Sequence, residues 1–311
     1  MLEIYKSAEN GELTKLEQFE KGCWINLFAP TADEIRRVET ELGILPSFIR
    51  DPLDDEEKPH VDVEDDQTLI VVDIPYVYEE EGTQIYETMP LGIVVTDAYI
   101  ITVSFRKNDI VETIKMNRMK EFATQKHTRF TFQILFIASK EFLRYLRMID
   151  KKTDDAERTL RKSMRNKELF ILLQLEKSLV FFTTSLKSNE MVMERLLRGK
   201  GLKKYEEDQD LLEDVIIENK QAIEMANIYS SILSGMMDAF ASVISNNLNI
   251  VMKFLAAITI VLSIPTLVAS LWGMNVHVPW QGNPLGFVFE GAIAAFSTCA
   301  AFFFLWKKDM F

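Results

Sequence analysis

Polar and apolar positions follow different periods along the chain. Over residues 1–108, short runs rich in β-branched and aromatic residues stand between polar segments: Cys23–Phe28, Thr68–Val77, Met89–Thr96 and Tyr99–Phe105. That composition predicts strands. Thr31-Ala-Asp-Glu34 is a capping box, and it starts a short helix that ends near Gly43. Residues 1–108 therefore read as an α/β unit.

From residue 109 the period lengthens. Phe132, Leu135, Phe136, Phe142, Leu143, Leu146 and Ile149 recur at three-to-four spacing, and a second helical set runs from Leu169 to Leu197. No proline occurs between 91 and 264 and no glycine between 93 and 198, so nothing interrupts long helices there. Residues 109–201 are expected to hold an antiparallel helix pair, with Arg198-Gly199-Lys200-Gly201 as a turn.

A third stripe follows: Leu211, Val215, Ala222, Met225, Tyr229, Ile232, Met236, Phe240 and Val243. It runs on into an apolar stretch, with Gly235 as the sole breaker before Pro265. One helix over roughly 203–272 would be on the order of 100 Å long. Short-range bonds cannot hold such a helix, so lateral partners around a symmetry axis are expected. The competing expectation is a break near the membrane surface, at Ser245-Asn246-Asn247.

Two apolar stretches close the chain, Ile250 to Trp272 and Leu285 to Trp306. About 20 helical residues cross a ~30 Å hydrocarbon core. The loop 273–284 has no Lys or Arg, whereas Lys253, Lys307 and Lys308 flank the stretches on the other side. The positive-inside rule then puts both termini in the cytoplasm of a multi-pass protein of the cell (inner) membrane. Trp272, Trp280 and Trp306 suit interfacial belts. The expected order is a cytosolic α/β domain (1–108), antiparallel cytosolic helices (109–201), a stalk helix (202–249), transmembrane helix 1 (250–272), an external loop (273–284), transmembrane helix 2 (285–306) and a basic cytosolic tail (307–311). The fold class is an α+β membrane protein.

Charge sharpens this division. The chain has 47 acidic and 35 basic residues, a formal net charge of −12. Residues 254–311 hold only Glu290, Asp309, Lys307 and Lys308. A purely soluble enzyme, a disordered chain and a many-span carrier are excluded. An acidic body also speaks against nucleic acid as a partner. Cys23 and Cys299 lie far apart in sequence and in different regions, so no disulfide framework is expected and a reducing interior is the default. The start MLEIYKSAENGEL lacks the basic and apolar regions of a signal peptide. His60, His127 and His277 show no zinc-ligand spacing and read as surface histidines. Without a triad, a nucleophile elbow or a phosphate loop, no enzyme is expected.

The first apolar stretch carries candidate chemistry. Asn249, Met252, Ala256, Thr259, Ser263, Thr266, Ser270 and Gly273 are spaced 3, 4, 3, 4, 3, 4, 3, a helical stripe that is mostly polar or minimal in size. Polar atoms in hydrocarbon need partners or water. Either small residues here let helices pack tightly, or the stripe lines a water-filled axial pore between several chains. The second stretch has no such stripe; Phe287, Phe289, Phe296, Phe302, Phe303 and Phe304 suit lipid. Its one acid, Glu290, reads as interfacial.

At the outer end of the first stretch stands Trp272-Gly273-Met274-Asn275. With the acidic body, the long stalk and the two terminal spans, this resembles the CorA family of magnesium transporters, whose signature is aromatic-Gly-Met-Asn at this place. The resemblance implies a funnel-shaped homopentamer with first spans around the pore. It implies ion selection at the outer mouth by Gly273, Met274 and Asn275, with Asn275 holding a hydrated ion and Gly273 letting the chain turn. It places pore-lining positions at Asn249, Met252, Leu255, Thr259, Ser263, Thr266 and Ser270, with the constriction at Met252 and Leu255. The loop Val276-His277-Val278-Pro279-Trp280-Gln281 departs from many members by lacking an acid.

Such a lining suits Mg²⁺, which gives up water reluctantly. Hydroxyls, amides and carbonyls hold the hydrated ion through its waters, and conduction needs several weak sites in series. A double charge moving inward across ~100 mV gains about 4.6 kcal/mol, so no ATP is needed. Co²⁺ and Ni²⁺ are further cargo to weigh.

Acids gather at 54–57, at Asp62, Glu64, Asp65 and Asp66, at Glu79-Glu80-Glu81, and along Glu206–Asp214. Their plain reading is a solvated face. The resemblance offers a second: a cytosolic Mg²⁺ sensor between protomers, built from Asp214 with Asp65 or Asp66 opposite and with Asp210 and Glu213 in the same set. The expected partners are thus copies of this chain, the lipid bilayer and divalent cations. The alternatives are a zinc or other transition-metal transporter of the same superfamily, a membrane-anchored cytosolic interaction protein and a membrane-bound enzyme.

Overall fold

The structure, a computed structural model, describes the chain except residues 9, 10, 81, 117–121, 164, 165, 200, 204, 280–282, 284 and 311, and the side chains at 162, 163 and 166. Glu81, Lys200, Trp280 and Gln281 thus lie outside the described residues. The chain divides into two compact units, Met1–Ser234 and Gly235–Phe311.

The first unit is built on one seven-stranded sheet in the order β2-β1-β3-β7-β6-β5-β4. Its strands are β1 (Leu2–Ser7), β2 (Leu13–Leu16), β3 (Trp24–Phe28), β4 (His60–Glu64), β5 (Gln67–Glu80), β6 (Thr83–Val95) and β7 (Ile100–Ser104). All neighbours run antiparallel except β3 and β7. Side chains alternate across a strand, and β5 shows it. Ile70, Val72 and Ile74 enter one core, while Leu69 and Val71 enter the other.

The second of these cores holds α1 (Ala32–Leu42) and α2 (Pro46–Arg50), through Val38, Phe48 and Ile49. The expected capping box at Thr31 and Glu34 is present, and Gly43 ends α1 in the left-handed conformation. Beyond α2, a short 3-10 turn brings Pro52 against β6. A β-carbon at Gly92 would sit 2.3 Å from Pro52 Cγ, so only glycine fits there.

On the opposite face lie α3 (Asp109–Lys115), α4 (His127–Ser163), α5 (Asn166–Leu197) and the start of α6 (Glu206–Trp272). Ile114, Phe130, Leu135, Met193 and Val215 share the core of β5 and β6. Phe142 of α4 meets Phe182 of α5 edge-to-face at 5.1 Å. The helices of 109–201 thus complete the core of the sheet, and the step at 108/109 marks a change of element within one unit.

Among the described residues, three helices are long and apolar enough to cross a membrane: α5, α6 and α7 (Gly286–Lys307). The apolar window of α5 is 39% buried, against 11% in α6 and 6% in α7. Leu172, Leu175, Leu179, Phe182 and Leu186 are buried within the first unit, so α5 is a core helix there. Helix α6 runs unbroken through Ser245-Asn246-Asn247. Pro265 stands inside it, where it has no N–H to give the Val261 carbonyl.

Candidate functional site

Helix α6 turns by about 100° per residue. Asn249, Met252, Leu255, Thr259, Ser263, Thr266 and Ser270 fall on one side of it, and all are exposed. Thr259, Leu262, Ser263, Thr266, Leu267, Ser270 and Leu271 border one open groove. The covered residues of the apolar stretch, Ala257 and Val268, sit roughly 130° from Ser263 around the helix. Half-buried Val261 and Ile264 share their side. On α7 the covered residue is Leu305, and half-exposed Glu290, Ala294, Ser297 and Ala301 lie on its arc. The hydroxyl side of α6 is thus the exposed one, and the covered residues of the stretch lie on its other side.

The stripe has a defined hydrogen-bond polarity. Thr259 Oγ1 donates to Leu255 O at 2.8 Å, Ser263 Oγ to Thr259 O at 2.6 Å, and Thr266 Oγ1 to Leu262 O at 3.4 Å. Each hydroxyl proton is spent on the helix's own backbone. The oxygens keep their lone pairs for a donor.

Helix α6 ends at Trp272, and Gly273 N–H still donates to Ala269 O at 2.9 Å. Gly273 stands in a turn at the end of the helix without taking a left-handed backbone. A β-carbon would lie 3.2 Å from Ala269 O; glycine keeps the last carbonyls of the helix clear. Met274, Asn275 and Val276 follow on a bent, exposed backbone.

The acids are placed differently. Asp65 and Asp66 form the two-residue turn of the β4–β5 hairpin, both with left-handed φ (46° and 62°). Aspartate tolerates that region better than most residues. Asp210, Glu213 and Asp214 are exposed on the first turns of α6. Two of their neighbours are engaged: Asp208 with Arg129 at 3.1 Å, and Glu207 with Lys126 at 3.3 Å. Among the described residues, no group of three or more His, Cys, Asp or Glu side chains could hold a metal ion within one chain.

One histidine departs from its expected surface setting. His127 Nδ1 lies 3.0 Å from Thr96 O, and its Nε2 is buried. Burial holds its pKa below the ordinary value, against the hydrogen bond to Thr96.

A model of the family described as CorA-like Mg²⁺ transporter protein matches residues 19–308. The chain belongs to the CorA family. It is 27% identical over 303 residues to a cobalt/magnesium transport protein CorA of Methanocaldococcus jannaschii, covering 92% of each chain. It is 23% identical over 300 residues to a protein of the same name from Thermotoga maritima, covering 93% of this chain and 85% of that one. The complete structure of the M. jannaschii CorA magnesium transporter superposes with a TM-score of 0.81 at 25% identity, over 98% of this chain and 96% of that one. The α/β unit, the long helix and the apolar C-terminal helices are thus those of a full-length family member, and the chain is a membrane protein.

Proposed function

We propose that this chain assembles as a homopentamer whose α6 helices enclose an axial pore for Mg²⁺. The observation that carries this reading is the polarity of the α6 stripe. The Thr259 and Ser263 oxygens have given their protons to the backbone, and the face they stand on is exposed. A hydrated Mg²⁺ presents only donors, its water protons, and the hydroxyl oxygens of Thr259, Ser263 and Thr266 can accept from them at one weak site after another. Asn275 holds the hydrated ion at the outer mouth. Met252 and Leu255 form the apolar constriction.

Both termini stand in the cytoplasm, and the membrane potential drives influx. Cytosolic Mg²⁺ closes the assembly by binding between protomers, where Asp214 with Asp210 and Glu213 faces Asp65 or Asp66 of the neighbour. Apposed carboxylates repel, and the bound ion cancels that repulsion. Their exposure leaves them free for a neighbour, and Mg²⁺ takes carboxylate oxygens with several waters retained. Relatives named for both cobalt and magnesium transport support Co²⁺ as a second cargo.

The test is Mg²⁺ uptake into liposomes carrying the intact protein or its Asn275→Ala variant. Uptake that collapses in the variant supports the reading; equal uptake in both removes the role given to the motif.

A further inference from the structure

We infer that Thr68 and Thr128 are positioning residues of the Mg²⁺ sensor. Their hydroxyls fix, within one chain, the acids at the start of α6 relative to the turn that carries Asp65 and Asp66. The inference rests on the sensor reading proposed above and names what sets its sensitivity.

Helix α6 takes its place from the connection that precedes it. Two carbonyls of that connection are held by buried threonines from different elements. Thr68 Oγ1, on β5, donates to Gly201 O at 2.5 Å, and Thr128 Oγ1, on the first turn of α4, donates to Lys203 O at 3.0 Å. Between the two held carbonyls, Leu202 packs against the core of β5 and β6. A carbonyl that loses its donor inside a protein destabilises that position, so the hydroxyls, and not the methyl groups alone, hold the connection down.

Gly201 shows how closely the connection lies on the β4–β5 hairpin. Its φ is 100°, a region open mainly to glycine. A β-carbon there would stand 3.1 Å from Thr68 Cγ2 and from Val61 Cγ1. Thr68 pairs with Val63 in the ladder that ends at the Asp65–Asp66 turn. Beyond the connection, buried Asp208 meets Arg129 of α4 at 3.1 Å, which fixes the first turn of α6. Asp210, Glu213 and Asp214 follow on that helix.

The two acid sets of one chain are therefore joined by a short, pinned path. In a closed ring each protomer gives its turn acids to one interface and its α6 acids to the other, so both must fit at once. Mg²⁺ demands near-ideal octahedral geometry, and slack in the path would weaken its hold at every interface.

The test measures Mg²⁺ uptake into liposomes carrying the full chain while internal Mg²⁺ is raised, so that maximal flux and the half-inhibiting concentration are read separately. Thr68→Val keeps the shape and removes the hydroxyl. The half-inhibiting concentration should rise about threefold or more, with flux in the absence of internal Mg²⁺ retained. Thr68→Ser should return it to the parent value, and Thr128→Val should shift it in the same direction as Thr68→Val. Lower maximal flux at the parent's half-inhibiting concentration overturns the inference, because the hydroxyl would then serve the fold alone. A shift that Thr68→Ser fails to reverse overturns it as well. Should Thr68→Val fail to assemble, Thr128→Val with Thr128→Ser carries the same test. Asp214→Lys, run alongside, keeps two failures apart. Unchanged inhibition in that variant removes the sensor reading and this inference with it. Lost inhibition there beside parental behaviour in Thr68→Val overturns this inference alone.

Discussion

The Ser263 hydroxyl donates to the Thr259 carbonyl oxygen at 2.6 Å, four residues back on the same helix. Thr259 repeats the arrangement with Leu255. Two successive turns of α6 therefore offer oxygen lone pairs in the middle of an apolar stretch. Thr259→Val and Ser263→Ala keep the helix while deleting an acceptor. Each should cost about 1 kcal/mol of ion stabilisation, roughly a fivefold fall in Mg²⁺ flux. Thr259→Ser, which restores the oxygen, should retain flux. Radiotracer-free uptake with a Mg²⁺ dye in liposomes measures all three.

Asp214 is exposed on α6 and, among the described residues, has no metal-holding companions within its own chain. If it serves between protomers, Asp214→Lys puts a fixed cation where Mg²⁺ would sit. Flux in that variant should lose its inhibition by internal Mg²⁺. Inhibition that stays as in the parent would remove Asp214 from the sensor.

Gly92 and Pro52 fix how α2 and its following turn sit on the sheet. Gly92→Ala brings a β-carbon to 2.3 Å from Pro52 Cγ and 2.6 Å from its Cβ. Overpacking of this kind costs ~1–3 kcal/mol. The thermal midpoint of the Met1–Ser234 unit should fall, and a cycle with Pro52→Gly should show positive coupling between the sites. Independent, additive losses would contradict the contact.

Burial pushes the Asp73 carboxyl up, opposed in part by a hydrogen bond from Ser185. The folded state thus binds the proton more tightly than the unfolded chain. Its favourable contribution is complete below the unfolded value and is lost as pH rises through the raised one. At neutral pH the buried charge destabilises. Asp73→Asn should raise the melting temperature at neutral pH, with the gain shrinking toward pH of about 4. A gain independent of pH would contradict this.

The four strands legible in the sequence, β3, β5, β6 and β7, are the buried middle of the sheet, where both faces need apolar side chains. Of the three that escaped, β2 and β4 are the edge strands, and β1 stands next to the edge between β2 and β3. His60–Glu64 carries Asp62 and Glu64, and such charges keep an edge from pairing with another chain while blurring the strand pattern. The long helices were legible because no breaker interrupts them. The stripe on α6 was legible because helical spacing does not depend on partners. The turn role of Asp65 and Asp66 was hidden, since a left-handed pair of aspartates looks like part of an acid run. The setting of His127 was hidden as well: its hydrogen-bond partner, the Thr96 carbonyl, is 31 positions away.

The most direct measurement is thiol blockade of transport. In a Cys299→Ala background, with Cys23 buried, Thr266→Cys lies on the hydroxyl side of α6 and Val268→Cys on the covered side. A water-soluble cationic thiol reagent should abolish Mg²⁺ flux through the Thr266→Cys assembly and leave Val268→Cys unaffected. Flux through Thr266→Cys that survives full exposure to the reagent would contradict a conduit lined by this face.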